Sequence, residues 1–271
     1  MSGLVLTLCS GVILPDELDA LQPLAMAGVG AAQAARMPVS ARAESPVIGE
    51  LFDVTVDDDA EIDQLTLRCG SQRLNALGRG MAGGSLRIEG DAGAGLGRGM
   101  TGGSIVVEGD CGDFAASGMR AGFIRVEGRA GHFLGGAMHG DLHGMAGGVV
   151  AVRRGAGDRA GHRMRRGLLL VGGDCGEACG AGMLAGTIAA ARCAGMPGLG
   201  LRRGSLLLQQ EPAAWPVTFN DSGLVDLAWL GLLAAASQAW LPGFLPANSQ
   251  ARRHCGDLAC GGKGEILIWQ A

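Results

Sequence analysis

The hydrophobic and polar positions between residues 68 and 208 recur in copies of one pattern. The copy GRGMTGGSIVVEGDCG, Gly97 to Gly112, follows an almost identical copy, GRGMAGGSLRIEGDAG, Gly78 to Gly93. Aligned on one glycine, successive copies lie 19, 19, 26, 19, 19 and 18 residues apart. A repeat of this period predicts a solenoid, in which each copy stacks on the next. The aligned glycines are Gly84, Gly103, Gly122, Gly148, Gly167, Gly186 and Gly204.

Each copy contains one strand with a buried face. A methionine precedes the aligned glycine by three residues from Met81 to Met183, with Leu201 closing the series, and aliphatic residues such as Ile105 and Val107 follow it at alternate positions. This alternation is typical of a strand buried on one side. Because a copy of 19 residues is too short to form its own core, the copies must stack at about 4.8 Å per rung. The sequence therefore predicts an all-β core, a parallel β-helix of about seven coils, right-handed by the general preference of parallel crossovers.

Residues 1–64 predict a small α/β segment before the repeat. Leu4 to Leu8 has the pattern of a strand, and Pro15 to Leu21 that of a short helix with acidic residues in its first turn. The run from Val47 to Val56 predicts an extended lead-in to the stack.

The predicted repeat domain spans residues 65–210, and the composition changes after it. Prolines between Pro212 and Pro216 interrupt the pattern, and the Ala- and Leu-rich run from Leu224 to Trp240 predicts a partly buried helix. Such a helix would cover the exposed edge at the end of the stack. Residues 211–271 are thus predicted to form a helical cap followed by a strand, Glu265 to Trp269.

Small residues occupy a further column, where a tight corner leaves room for little else. The small column comprises Ala92, Cys111, Ala130, Ala156, Cys175 and Ala194.

The chain has 8 cysteines, no basic amino-terminal leader pattern and no apolar run of membrane length. We therefore expect a cytoplasmic protein with free thiols and no contact with a membrane.

Three glutamates, Glu89, Glu108 and Glu127, form a ladder of like charges one copy apart, with Arg153 in the next copy. Each repulsion at about 5 Å in water amounts to only about 1 kcal/mol. The ladder is consistent with a solvated face or with a neutralising partner.

Arginines concentrate in the fifth copy, where residues 149–167 hold six of them against Asp158 alone. A solvated face, an acidic protein partner and an anionic small molecule all fit this pattern. Nucleic acid is disfavoured, because the formal net charge is -4 and aromatic residues make up only 4% of the chain. The candidate binding residues are Arg120, Arg154, Arg163, Arg165, Arg166 and Arg202.

The fourth copy carries seven extra residues between Gly131 and Gly144. An insertion in a solenoid forms a loop at a corner. This one is a candidate zinc site or, alternatively, a loop that contacts a partner. Its candidate ligands are His132, His139, Asp141 and His143.

Two other groups could bind a metal or undergo redox chemistry. They are the pair Cys175 and Cys179 and the group His254, Cys255 and Cys260. Neither has the paired spacing of a zinc ribbon, and simple thiols are the alternative. No P-loop, nucleophile elbow or HExxH motif is present, so no catalytic residue is predicted. For the insertion and for both cysteine groups the interpretation without a metal is the favoured one, so no metal site is predicted.

The repeat, G-x-G-M-x-G-G-x-I-x-V-x-G-D-x-G, resembles the GXGXG motif shared by the C-subunit of formylmethanofuran dehydrogenase and the carboxy-terminal domain of the glutamate synthase large chain. The resemblance covers about residues 47–210. The preceding sequence GELFDVTV and the length of 271 residues favour the formylmethanofuran dehydrogenase subunit over the glutamate synthase domain. Two complexes use such a protein: an archaeal tungsten or molybdenum dehydrogenase, and the formyltransferase/hydrolase complex of methylotrophic bacteria. The Arg-, Ala- and Gly-rich composition favours the bacterial complex.

In this family the resemblance implies transfer of a formyl group from tetrahydromethanopterin to a methanofuran-type carrier, followed by hydrolysis to formate. It places the chemistry on an amidohydrolase-like subunit and a formyltransferase subunit, with a further subunit in the complex. The β-helical member joins them, so no catalytic residue is carried over. The carrier's glutamyl tail could pair with the six candidate arginines, whose guanidinium groups suit carboxylates. The alternative is that these arginines bind an acidic face of a partner subunit.

Overall fold

The computed structural model describes residues 2–42 and 44–269. Four helices lie among these residues, α1 (Pro23–Met26), α2 (Ala31–Ala34), α3 (Ile48–Leu51) and α4 (Ala228–Ser237), with a 3₁₀ turn at Leu258–Cys260. The strands are β1 (Gly3–Leu8), β2 (Phe52–Asp57), β3 (Gln64–Leu74), β4 (Ser85–Ala92), β5 (Ser104–Val107), β6 (Phe123–Val126), β7 (Arg129–Ala130), β8 (Ala146–Val152), β9 (Gly155–Ala156), β10 (Arg166–Cys175), β11 (Thr187–Cys193), β12 (Arg203–Leu208), β13 (Asn220–Asp226), β14 (Gln250–Gly256) and β15 (Lys263–Trp269).

These strands form one sheet in the order β13-β14-β15-β12-β11-β10-β8-β6-β5-β4-β3-β1-β2, with β7 and β9 paired beside it. From β3 to β12 each copy pairs in parallel with the next, and Leu86, Ile105 and Ile124 are aligned across three neighbouring strands. A second parallel ladder joins Ala92 to Cys111 and Cys111 to Ala130. The prediction of an all-β core is confirmed.

The predicted inward columns are buried. Met100, Met119 and Met145 have no exposed surface, and the aliphatic columns of the strands are as deeply buried. The aligned glycine makes this packing possible: a Cβ on Gly103 would lie 2.6 Å from the carbonyl oxygen of Gly84, and its φ of +81° is one that L side chains rarely adopt. Each fully buried Met or Leu contributes about 1.5–3 kcal/mol relative to its exposed state.

The outward column of the sheet changes character along the stack. In β4 and β6 it holds Arg87 and Arg125, whereas in β10 and β12 it holds Leu170 and Leu207, which are 0% and 2% exposed. The apolar half packs against α4 and the residues that follow it, including Leu241. The expectation that this helix covers the end of the stack is wrong, because its apolar partners are the outward residues of the sheet.

The end of the sheet is extended by strands instead. β15 pairs in parallel with β12, with Leu206 opposite Ile266, and β14 and β13 continue in antiparallel fashion. The predicted strand from Glu265 to Trp269 is present. The first residues of the predicted helix belong to β13, and the helix begins at Ala228.

Two predictions for the amino-terminal segment are wrong. Residues 15–21 are not helical, because Leu18 and Leu21 are buried against the stack and the Leu18 N–H donates to the Asn75 carbonyl oxygen at 3.1 Å. The run 47–56 is not extended throughout. It begins with helix α3, where the Glu50 carboxylate accepts a hydrogen bond from the Val47 N–H at 3.1 Å.

The strand predicted at Leu4 to Leu8 is present and extends the parallel ladder, with Leu4 opposite Leu65. In the small column, Cys193 rather than Ala194 lies opposite Cys175, because the last copy is one residue shorter. The division into residues 1–64, 65–210 and 211–271 stays a prediction. Within the described ranges, no helix is long and apolar enough to cross a membrane.

Candidate functional site

Exposed arginines follow the buried methionine column at one corner of the repeat. Arg120, Arg165 and Arg202 each come one residue after an inward side chain, and their N–H groups donate to the carbonyl oxygens of Met100, Met145 and Met183 at 2.8, 2.8 and 2.9 Å. We call this surface the arginine edge. It comprises Arg120, Arg163, Arg165, Arg166, Arg202 and Arg203.

The arginine edge has a regular spacing along the stack. Ala146 occupies the position between Arg120 and Arg165, and Leu184 the position between Arg165 and Arg202. The three arginines of this column are therefore two strands apart, roughly 10 Å. Arg166 and Arg203 begin β10 and β12 and lie directly beside them.

No carboxylate of the described residues neutralises the arginine edge. All six side chains are exposed, and among the described residues none of them forms an ion pair or a side-chain hydrogen bond. Six positive charges consequently face solvent along one corner. An extended polyanion or an acidic protein surface has the chemistry to pair with them.

Arg154 lies elsewhere. Its carbonyl oxygen is adjacent to Gly173, beyond the middle of β10, whereas Arg166 begins that strand. Seven residues of strand separate the two positions, about 23 Å at 3.3 Å per residue. The structure thus brings together five of the six candidate arginines and separates Arg154 from them.

The glutamate ladder is neutralised within the chain. Arg68 pairs with Glu89 at 2.8 Å, Arg87 pairs with Glu108, and both Arg125 and Arg153 pair with Glu127. Partial burial acts to raise the pKa of Glu127, but hydrogen bonds from Arg153 and Arg125 hold it below its usual value. These arginines are occupied, in contrast to those of the arginine edge.

The chain is similar in sequence and in fold to proteins of one complex. No family model matches the chain. It is 37% identical over 82 residues to the C-subunit of the formyltransferase/hydrolase complex Fhc of Methylorubrum extorquens, an alignment that spans 30% of this chain and 30% of that relative. It also matches a chain in the crystal structure of the FhcABCD complex of that organism with methylofuran, at a TM-score of 0.84 and 34% identity, covering 97% of this chain and 98% of that one.

The chain belongs to the C-subunit family of the formyltransferase/hydrolase complex. The match extends well beyond the repeat and includes both terminal segments. The resemblance to this family is confirmed, and with it the choice of the bacterial complex over the archaeal dehydrogenase and glutamate synthase.

In this member of the family the insertion between Gly131 and Gly144 does not gather its histidines. His132 accepts a hydrogen bond from the Asp158 N–H at 3.0 Å, whereas the His139 ring lies edge-on to Phe114 and Phe133. No group of three or more His, Cys, Asp or Glu side chains in the described ranges is arranged to hold a metal ion. The insertion packs back onto the preceding rungs.

The cysteines are free thiols. Cys175, Cys179 and Cys193 are buried together in the core of the stack. A hydrogen bond with Cys175 and burial raise the pKa of Cys179 well above its usual value, and burial raises the pKa of Cys193 to about 11. Because the thiolate is the reactive form, Cys179 and Cys193 fit a packing role.

The carboxy-terminal group is dispersed as well. The His254 ring lies against Trp215 with centroids 4.2 Å apart, and Cys260 is exposed in the turn after β14. Neither side chain meets a set of metal ligands among the residues that the structure describes.

Proposed function

We propose that the chain is a subunit that joins the catalytic subunits of a formyltransferase/hydrolase complex and does not itself carry out the reaction. The observation that supports this best is the match over 97% of the chain to a chain of the methylofuran-bound complex. In the proposed complex a formyl group passes from tetrahydromethanopterin to a methanofuran-type carrier and is hydrolysed to formate. The chemistry belongs to amidohydrolase-like and formyltransferase subunits.

Purification of the tagged chain tests this assembly role. When it is expressed with the other subunits of its complex, mass spectrometry should identify an amidohydrolase-like chain and a formyltransferase chain among the co-purifying proteins. The chain purified alone should have no formyltransferase or hydrolase activity. Formyl transfer by the chain alone, with partner contamination excluded, would contradict the proposal.

We also propose that the sheet closes into a right-handed parallel β-helix. Two parallel ladders support this, one through the strands and one through the small column, since a coil that returns every 19 residues passes both. The handedness rests on the general preference of parallel crossovers. An experimental density map of the chain, in which left-handed or open connections would be evident, tests the closure.

A cytoplasmic location completes the proposal. Its support is the set of eight free cysteines, which is typical of a reducing compartment. Fractionation of the native cells with an antibody to the chain should recover it with a cytoplasmic marker, and recovery with an exported marker would contradict the location.

The methanofuran-type carrier has a candidate binding surface in the arginine edge. A polyglutamate tail is a chain of carboxylates, and the unpaired guanidinium groups of Arg120, Arg163, Arg165, Arg166 and Arg202 suit such a chain. Each exposed pair contributes about 0.2–1 kcal/mol, so several must act together to retain the tail. Holding the tail on this protein would leave the furan end free to reach two active sites.

A double variant in the assembled complex tests the tail site. Replacing Arg165 and Arg166 by Gln should weaken carrier binding by about tenfold and reduce its dependence on salt concentration, because two of the screened charge pairs are lost. The matched control replaces Arg129 and Arg154, two exposed arginines at the other end of the strands that form no ion pair with the described residues. It should leave carrier affinity unchanged.

The same variants separate carrier binding from contact between subunits. Unchanged carrier affinity together with dissociation of the subunits would refute the tail site and favour an acidic partner face. If the Arg129 and Arg154 control weakens carrier binding as much as the Arg165 and Arg166 variant, the effect is one of net charge, and the site is again refuted.

A further inference from the structure

One corner of the repeat holds side chains in a backbone conformation that favours glycine. At this corner the residues have φ between +51° and +73° in every copy, yet glycine occupies it only at Gly95. The bulky side chains there are therefore not selected by backbone preference, since such residues avoid this region. The corner column comprises Ala76, Gly95, Phe114, Phe133, Arg159, Ala178 and Met196.

Three of these side chains form a stack. The rings of Phe114 and Phe133 are nearly parallel, with centroids 4.9 Å apart and an interplanar angle of 11°. The guanidinium carbon of Arg159 lies 5.7 Å above the Phe133 ring. Phe133 is thus covered on both faces, and Phe114 is covered on one.

The second face of Phe114 borders a cleft. In the preceding copy the corner column holds Gly95, which has no side chain, and in the copy before that it holds Ala76. These residues and Phe114 line a cleft of about 360 Å³, together with Met138 from the insertion. This volume is in the range of small-molecule sites.

One of the arginines that line the cleft, Arg98, has no charged partner among the described residues. Arg42 pairs with Asp16 at 3.8 Å and with Glu17 at 3.3 Å. Arg79 pairs with Glu17 at 3.1 Å and with Asp19, just outside the cleft, at 3.9 Å. Arg98 also lines the cleft but forms no ion pair or side-chain hydrogen bond with the described residues. A ligand with one negative charge would complete the pairing.

We propose that this cleft binds a small planar aromatic or heteroaromatic carboxylate, with its ring stacked on Phe114 in the space above Gly95 and its carboxylate paired with Arg98. The bound ring extends the stack by one position, since a parallel offset arrangement is favourable for aromatic rings. The site is distinct from the arginine edge and does not depend on the proposed assembly function.

Benzoate is the simplest probe of this chemistry. Titrated into the isotopically labelled full-length chain, it should shift the amide resonances of Gly95 and its neighbours, with a dissociation constant on the order of 1 mM for a ligand of this size. Benzamide lacks the charge and cyclohexanecarboxylate lacks the flat ring, so each should bind at least about fivefold more weakly.

Gly95→Phe is the sharpest variant. A Cβ on Gly95 meets only the Ala76 Cα at 3.9 Å, and Phe114 already adopts the same backbone conformation one copy away, so the new ring should fill the cleft and abolish benzoate binding. Ala178→Phe adds the same ring elsewhere in the column and should leave binding unchanged. Arg98→Gln should weaken benzoate binding about tenfold. Because the Arg98 side chain has no partner among the described residues, this variant still tests the site if Gly95→Phe does not fold.

Three results would overturn the proposal: no shift of the cleft resonances at about 20-fold the expected dissociation constant, equal binding of benzoate and cyclohexanecarboxylate, or undiminished binding to Arg98→Gln. Benzoate that binds the isolated chain but is excluded from the assembled complex would also overturn it, because a segment of a partner would then be the occupant. Since Gly95→Phe leaves the arginine edge untouched, normal co-purification of partners with this variant keeps the two proposals separable.

Discussion

The outward face of the sheet is charged in its first half and apolar in its second. Arg87 and Arg125 pair with glutamates of the ladder, whereas Leu170 and Leu207 occupy the same column under α4 and are buried. The inward columns do not change between the two halves. The repeat therefore determines what faces the core, and the segment that covers the sheet determines what faces outward.

The largest effect should come from the inward column. Replacing Val107, which is 0% exposed, by Asp places an unpaired charge in the core and should destabilise the fold by about 4 kcal/mol or more, preventing soluble expression. Its neighbour Val106 faces outward between Arg87 and Arg125. Val106→Asp should express normally, and equal behaviour of the two variants would contradict the assignment of the faces.

The outward column should respond differently in its two halves. Leu170→Ala removes a side chain buried under α4 and should lower the free energy of unfolding by about 3 kcal/mol. Arg125→Ala, in the same column, should lower it by less than about 1 kcal/mol. Chemical denaturation measures both values, and similar losses would mean that the two halves are not covered differently.

The contact between the sheet and Trp240, three residues after the end of α4, should have an intermediate effect. Trp240 lies near Phe123 with ring centroids 6.4 Å apart, and both side chains are half-buried. Trp240→Ala should lower the free energy of unfolding by about 2 kcal/mol, less than a fully buried aromatic residue. Leu232 on the outer side of α4 is 74% exposed, and Leu232→Ala serves as the control with an effect below about 0.5 kcal/mol.

The charged half should make stability depend on pH. Partial burial acts to raise the pKa of Glu127, but hydrogen bonds from Arg153 and Arg125 hold it below its usual value, so its ionised form stabilises the folded state at pH values above the pKa of the unfolded state. This contribution is lost as the pH falls through the lower, folded-state pKa. Glu127→Gln should flatten the acid limb of the stability curve, and Glu61→Gln, which removes no ion pair between described residues, should not. The same slope in both variants would rule out this role for Glu127.

The inward face can be predicted because glycine, methionine and aliphatic columns recur at a fixed period. The apolar outward half does not follow from the repeat, although the sequence carries a signal for it. Residues 168–171, LLLV, and 206–208, LLL, are continuous apolar runs, in contrast to LRI at 86–88. Continuous runs are typical of strands covered on both faces.

Other features depend on contacts that sequence spacing does not encode. Leu18 is held by Asn75, far along the chain, so local helix signals around Pro15 do not decide its conformation. Arg154 shares a copy with Arg165 and Arg166, but one coil is long enough to separate its two corners. The stack of Phe114 and Phe133 could have been predicted, since the two residues are 19 positions apart, one period of the repeat.

Native mass spectrometry can show whether this chain holds the catalytic subunits of its complex together, as proposed above. The subunits are expressed together with and without the chain, and the purified assemblies are weighed and assayed for formyl transfer coupled to formate release. We expect the intact complex only when the chain is present, and separate catalytic subunits with little coupled activity when it is omitted. A complete catalytic assembly with full coupled activity in its absence would contradict the account.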